Sequence, residues 1–117
     1  MKSFIEVCLY EVKPTKVDEF IELIIEVAEH HKSFKGVIDV KYMHRTHRQE
    51  DFNSVKIGKP AIRLSRKPQK EIFTLFWECS DEMVHAQATK AGLDKFYKRF
   101  QRCLTTMPKI ILGEKII

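Results

Sequence analysis

No apolar run in this sequence approaches the roughly 18 residues that a membrane-spanning helix needs, so no membrane contact is expected. The three cysteines, Cys8, Cys79 and Cys103, lie far apart and form no C-x-x-C pair. An odd and scattered set argues against a disulfide framework and suits reduced thiols in a cytoplasmic protein. Their spacing gives no support to a metal site. The N-terminal segment meets Glu6 too early to build a signal-peptide core, so it reads as the first strand of the fold. No stretch reads as a linker or as low complexity. With 117 residues, 44% hydrophobic and 32% charged, the chain is expected to be a single globular domain spanning 1–117.

What is present in excess is positive charge in one place. Between Lys41 and Lys70 stand nine Lys and Arg against Glu50 and Asp51, a local charge of +7. The whole chain carries +5, so the remainder is slightly acidic. Such a stretch can attract anions or nucleic acid, but most charge runs only keep a surface wet.

Periodicity supplies the elements. Phe4 to Val12 alternates and is rich in β-formers, so it reads as a strand. Pro14 ends it, and Thr15 with Asp18 resembles a capping box. Val17, Phe20, Ile21, Ile24, Val27 and Ala28 then recur at helical spacing. His30, His31 and Lys32 sit in the last turn, where positive charge suits the helix dipole, and Gly36 supplies the exit turn. A second strand is expected from Val37 to Arg48. Residues 49–70 read as a basic loop insertion with a short hairpin arm around 61–64. Glu71 to Cys79 is apolar on both faces and should be a central strand. Ser80-Asp81-Glu82 opens a second long helix that Gly92 should break or bend and Pro108 should stop. Lys109 to Ile117 closes the chain as a strand.

The order β-α-β-β-α-β predicts an α+β, ferredoxin-like fold: a four-stranded antiparallel sheet with two helices on one face. Side-chain alternation assigns Ile5, Val7 and Leu9 to the helix-facing side, with Phe73, Leu75 and Trp77, and with Ile38, Val40, Tyr42 and His44. It leaves Phe4, Cys8, Tyr10, Ile72 and Phe76 on the far side. Apolar groups there need a cover, at about 25 cal/mol per Å² left in water. A second copy packed sheet to sheet would supply it. Glu6, Glu78, Lys41 and Arg45 are expected to form an ion-pair network at that interface.

Several features together resemble the antibiotic biosynthesis monooxygenase family of dimeric α/β barrels. They are a strand ending Val12-Lys13-Pro14, a long amphipathic helix, and a late strand ending Phe76-Trp77-Glu78. Ser80-Asp81-Glu82, a helix carrying His85, and Phe96-Tyr97-Lys98-Arg99-Phe100 follow. The resemblance covers nearly the whole chain except 49–70. It implies a homodimer with a pocket between sheet and helices, and chemistry ranging over cofactor-independent oxygenation of polycyclic phenols, quinol oxidation and heme degradation. The heme-degrading branch places an Asn in the first strand and a Trp and a His in the second helix. The corresponding positions here are Val7, Ala86 and Phe100. No cofactor is therefore expected by that route, and heme stays open only through His85 at a neighbouring site.

His85 and His44 are the candidate general bases, because imidazole titrates near neutral pH. A base that deprotonates a phenol leaves an electron-rich anion able to react with O2 unaided. Each histidine could equally be a hydrogen-bonded structural residue. Tyr42, Trp77, Val7, Leu9, Phe96 and Phe100 are the candidate substrate-binding residues; aromatics such as Tyr42 and Trp77 are also ordinary core material. His44 and His47 point to opposite faces of a strand, and His30 adjoins His31, so neither pair suggests a metal site.

The expected function is a small monooxygenase-like protein acting without a metal on an aromatic or quinol-type molecule. The alternative is a non-catalytic dimer of the same fold that binds a small hydrophobic or anionic ligand. A third reading, nucleic-acid or protein binding through the basic arm, ranks last because the sheet shows no exposed aromatic RNA-binding signature; nucleic acid is not the expected partner.

Overall fold

The structure, a computed structural model, describes residues 2–48 and 52–117. Four strands, β1 (Phe4–Val12), β2 (Val37–His44), β3 (Glu71–Cys79) and β4 (Lys109–Glu114), form one antiparallel sheet in the order β2-β3-β1-β4. Two long helices, α1 (Val17–Lys32) and α3 (Glu82–Cys103), cover one face, and a single turn, α2 (Asn53–Lys56), lies in the basic segment. This is the expected α+β, ferredoxin-like architecture.

The helix starts differ in mechanism. Asp81 caps α3 by accepting a hydrogen bond from the Val84 amide at 2.9 Å. No side chain caps α1. Pro14–Lys16 form a 3-10 turn instead, so the predicted Thr15 cap is not made. The buried stripe of α1 is Phe20, Leu23, Ile24, Val27 and His31; Ile21 is turned outward. Gly92 does not break α3, which runs unbroken through it.

Gly36 makes the turn into β2 with φ +97°, a conformation costly for any other residue. A Cβ there would also lie 2.8 Å from both Ser80 Oγ and Val84 Cγ2. The close approach lets the Ser80 amide donate to the Gly36 carbonyl at 2.7 Å, tying the β2 entrance to the start of α3.

The core lies between sheet and helices, where Val12, Phe20, Leu23, Phe73, Leu75 and Trp77 are almost wholly buried. Each such side chain contributes roughly 1.5–3 kcal/mol of hydrophobic stabilisation. The alternation of β1 is the reverse of the expected one. Glu6, Cys8, Tyr10 and Val12 are the buried, helix-facing set, whereas Val7 is exposed. On β2, Val40 is buried but Ile38 is exposed, because the β2–β3 register shifts between Val37 and Asp39.

The far face of the sheet therefore carries Val7 opposite both Phe76 and Ile111, forming an apolar row over three strands. The expected four-residue ion network is not assembled. Glu6 lies on the other face; Glu78 accepts hydrogen bonds from Ser3 at 2.6 Å and Lys115 at 3.3 Å; Lys41 pairs with Asp39. Arg45 has a buried Nε without a partner among the described residues.

The basic segment folds back on the strand end. The Arg48 amide donates to the Ile62 carbonyl at 2.7 Å, and the Leu64 amide to that of Thr46 at 3.0 Å, giving the short arm expected around 61–64. Residues 49–51 of that segment, Glu50 and Asp51 included, lie outside the described part. Among the described residues no helix is long and apolar enough to cross a membrane.

Candidate functional site

Strand β1 is flanked by neighbours on both sides and faces the helices, so an acid on its inner register must be buried. Glu6 occupies that position, opposite Trp77 on β3, and is 7% exposed. A buried carboxylate is costly unless a strong donor meets it. The donor is His85, in the first turn of α3, whose Nε2–H reaches Glu6 Oε1 at 2.7 Å. The ring of His85 also meets Phe4 edge-on and lies tilted 4.7 Å from the Trp77 indole.

Trp77 also meets His31 from α1. The two rings stack at 4.0 Å with an interplanar angle of 6°. One indole thus contacts an imidazole from each of the two long helices. Burial drives the His31 pKa down to about 4, helped by the neighbouring His30 and His85, so His31 is neutral near pH 7. Its Nδ1 is buried without a partner among the described residues. Gly92 on α3 makes room for this ring, since a Cβ there would stand 3.0 Å from His31 Nε2.

Above these residues opens a cavity of about 560 Å³, bounded by the sheet, α3 and the segment leading into β4. Its floor is Glu6, Cys8, Tyr10, Tyr42 and Trp77; His31 and Thr89 stand at its side. Tyr10 stacks on Phe100 at 5.7 Å and on Tyr42 at 6.4 Å, so the wall is largely aromatic. Burial pushes the Cys8 thiol up to about 11, with the charge of Glu6 adding to it. Burial likewise raises Tyr10 and Tyr42 well above the usual phenol range, so both stay protonated. Tyr42, Trp77 and Thr89 are among its lining residues, and the Trp77 Nε1–H and the Thr89 hydroxyl are themselves buried with no partner among the described residues.

Of the residues singled out from the sequence, Tyr42, Trp77 and Phe100 line this cavity. His85 stands directly behind Glu6. The others fall elsewhere. Val7 and Leu9 project from the opposite face of the sheet, because the β1 alternation is reversed. Phe96 is buried in the core against His30, at 5.5 Å. His44 bonds to Glu71 at 2.8 Å, stacks on Phe73 at 4.2 Å and does not line the cavity. Glu6 was expected on the other sheet face, in the ion-pair network, and His31 only in the last turn of a helix; neither was anticipated at this site. The signal for Glu6 is a lone acid in an otherwise apolar register of a central strand. The signal for His31 is its spacing, four residues after Val27 and eight after Leu23, on the buried stripe. Among the described residues no three His, Cys, Asp or Glu side chains are grouped so as to hold a metal ion.

No protein-family model matches the sequence, and no curated protein matches it. Solved structures do. A conserved protein from Methanosarcina mazei Go1 is 22% identical over 98% of this chain and 94% of its own, with a TM-score of 0.71. A putative antibiotic biosynthesis monooxygenase from Nitrosomonas europaea is 12% identical over 98% and 91%, also at 0.71. SnoaB, a cofactor-independent oxygenase from Streptomyces nogalater, is 10% identical over 100% and 96%, at 0.65. At these identities the likeness establishes the fold. The chain has the fold of the antibiotic biosynthesis monooxygenases.

Proposed function

We propose that the protein is a small monooxygenase-like enzyme that acts, without a metal or cofactor, on a phenol- or quinol-type aromatic molecule held in the cavity. The observation that carries this reading is the buried Glu6–His85 pair, with Glu6 facing an aromatic-walled hollow. Glu6 is the proton acceptor presented to the substrate. His85 is a positioning residue: its hydrogen bond fixes one carboxylate oxygen and compensates the buried charge. Loss of the phenolic proton makes the ring electron-rich enough to pass electrons to O2. For a methylene activated by flanking rings, one oxygen atom enters the carbon as a carbonyl and the other leaves as water with the two hydrogens. For a quinol, two electrons and two protons pass to O2, giving quinone and hydrogen peroxide. The likeness in fold to a cofactor-independent oxygenase supports the reading.

The working unit in this reading is a homodimer, its sheets meeting through the row Val7, Phe76 and Ile111. The test is oxygen uptake with a panel of hydroxylated anthrones and naphthoquinols. Glu6→Gln should lower the rate by about 100-fold or more, the usual scale for a lost acid–base group. Ligands that quench Trp77 emission yet never consume oxygen above the uncatalysed rate would overturn the enzymatic reading and leave a binding protein.

A further inference from the structure

The cavity is lopsided in charge. Among the described residues that line it, Glu6 is the sole acid, and there is no Lys or Arg. Its aromatic wall comprises Tyr10, Tyr42, Trp77, Tyr97 and Phe100, whose ring faces are electron-rich. Arg99 on α3 is engaged elsewhere, in a pair with Glu26 on α1. Burial is the main reason the Cys8, Tyr10 and Tyr42 pKa values are raised, and the charge of Glu6 adds to it at each of them. An anionic group entering here would meet the Glu6 carboxylate, with no Lys or Arg among the described lining residues to offset it and only the His85 imidazole behind it. An ammonium group would meet a carboxylate and the less buried aromatic side chains of the wall, such as Tyr97, the two features that favour organic cations.

We infer that the cavity selects its ligand by charge, preferring an aromatic molecule that carries a protonated amine and turning away one that carries a carboxylate. The inference deepens the functional reading above by naming the substrate class of the same site. The chain's net charge of +5 pulls the opposite way, so a preference for cations cannot come from the overall field.

The test uses three matched probes at about pH 7: a naphthol, the same naphthol bearing an aminomethyl group, and the same naphthol bearing a carboxylate. Binding is read from the emission of Trp77, the chain's one tryptophan. The aminomethyl probe should bind at least about tenfold more tightly than the carboxylate. Glu6→Gln should narrow that gap to about twofold. Because the wild-type comparison needs no variant, it decides the matter even if Glu6→Gln folds poorly. A carboxylate probe that binds as tightly as the amine overturns the inference. Oxygen uptake is measured alongside: turnover of a tightly bound carboxylate probe sinks charge selection and leaves the enzyme reading intact. An amine preference with no oxygen uptake by any probe does the reverse.

Discussion

Replacing His85 with alanine removes the donor that meets Glu6 while leaving the carboxylate where it is. Glu6 and His85 are 7% and 8% exposed, so water cannot readily take over the lost hydrogen bond. A hydrogen bond to a charged group contributes about 1.5–3 kcal/mol, and breaking one side of a buried pair costs about 3–5 kcal/mol because the other charge is stranded. The imidazole also packs on Trp77 and Phe4, contacts that alanine forfeits. We expect His85→Ala to destabilise by about 3–5 kcal/mol, a large share of the roughly 5–15 kcal/mol typical of such domains. Urea unfolding followed by Trp77 emission and by circular dichroism measures it. Adding Glu6→Gln to His85→Ala should recover part of the loss, leaving the two changes non-additive by about 1.5–3 kcal/mol. Additivity within about 0.5 kcal/mol would show that the pair is not coupled, and the account of the site would fall with it.

Three other expectations concern different parts of the fold. The His31 pKa is depressed from 6.5 to about 4 in the folded chain. The unfolded chain therefore takes up a proton first as pH falls, and stability should drop from about pH 6.5 toward pH 4. Above about 6.5 this residue should contribute no pH dependence, and His31→Phe should remove its part of the slope; an unchanged slope in denaturant midpoints would contradict its burial as a neutral ring. Gly36→Ala meets both a positive φ and two atoms at 2.8 Å, so a loss of about 2 kcal/mol or more is expected in thermal melts. Phe76→Glu places a charge in the apolar row of the far sheet face and should yield monomers by sedimentation without loss of secondary structure; a persistent dimer would move the interface elsewhere.

The element order was legible because strands and helices here have strong and different periods. The limits of β1 and β3 and the Asp81 start of α3 follow directly from those patterns. The direction in which β1 faces was not legible. Phe4, Cys8, Tyr10 and Val12 are as apolar a register as Ile5, Val7 and Leu9, and a strand with neighbours on both sides can bury either. Pairing decides it, since Glu6 stands opposite Trp77 and Tyr10 opposite Phe73. Reversing that one strand hides Glu6, which is why the sequence pointed to His85 but not to its partner. Gly92 misled for a related reason. A glycine within a helix reads as a break, yet here its missing side chain is taken up by the His31 ring while the helix runs on. The bulge near Ile38 belongs to the same class of feature, because it depends on a neighbouring strand and not on local composition.

One edge of the cavity rests on β4, and this bears on how a molecule gets in. β4 is exposed along its whole length, pairs among the described strands with β1 alone, and brings Ile110 to the rim just after Met107 and Pro108. Widening the rim therefore involves slackening one outermost ribbon, while the packed centre around Phe20 and Phe73 is left undisturbed. Amide protons of β4 should exchange with solvent sooner than those of β1 and β3, and an occupant that bridges Ile110 to the floor should slow them.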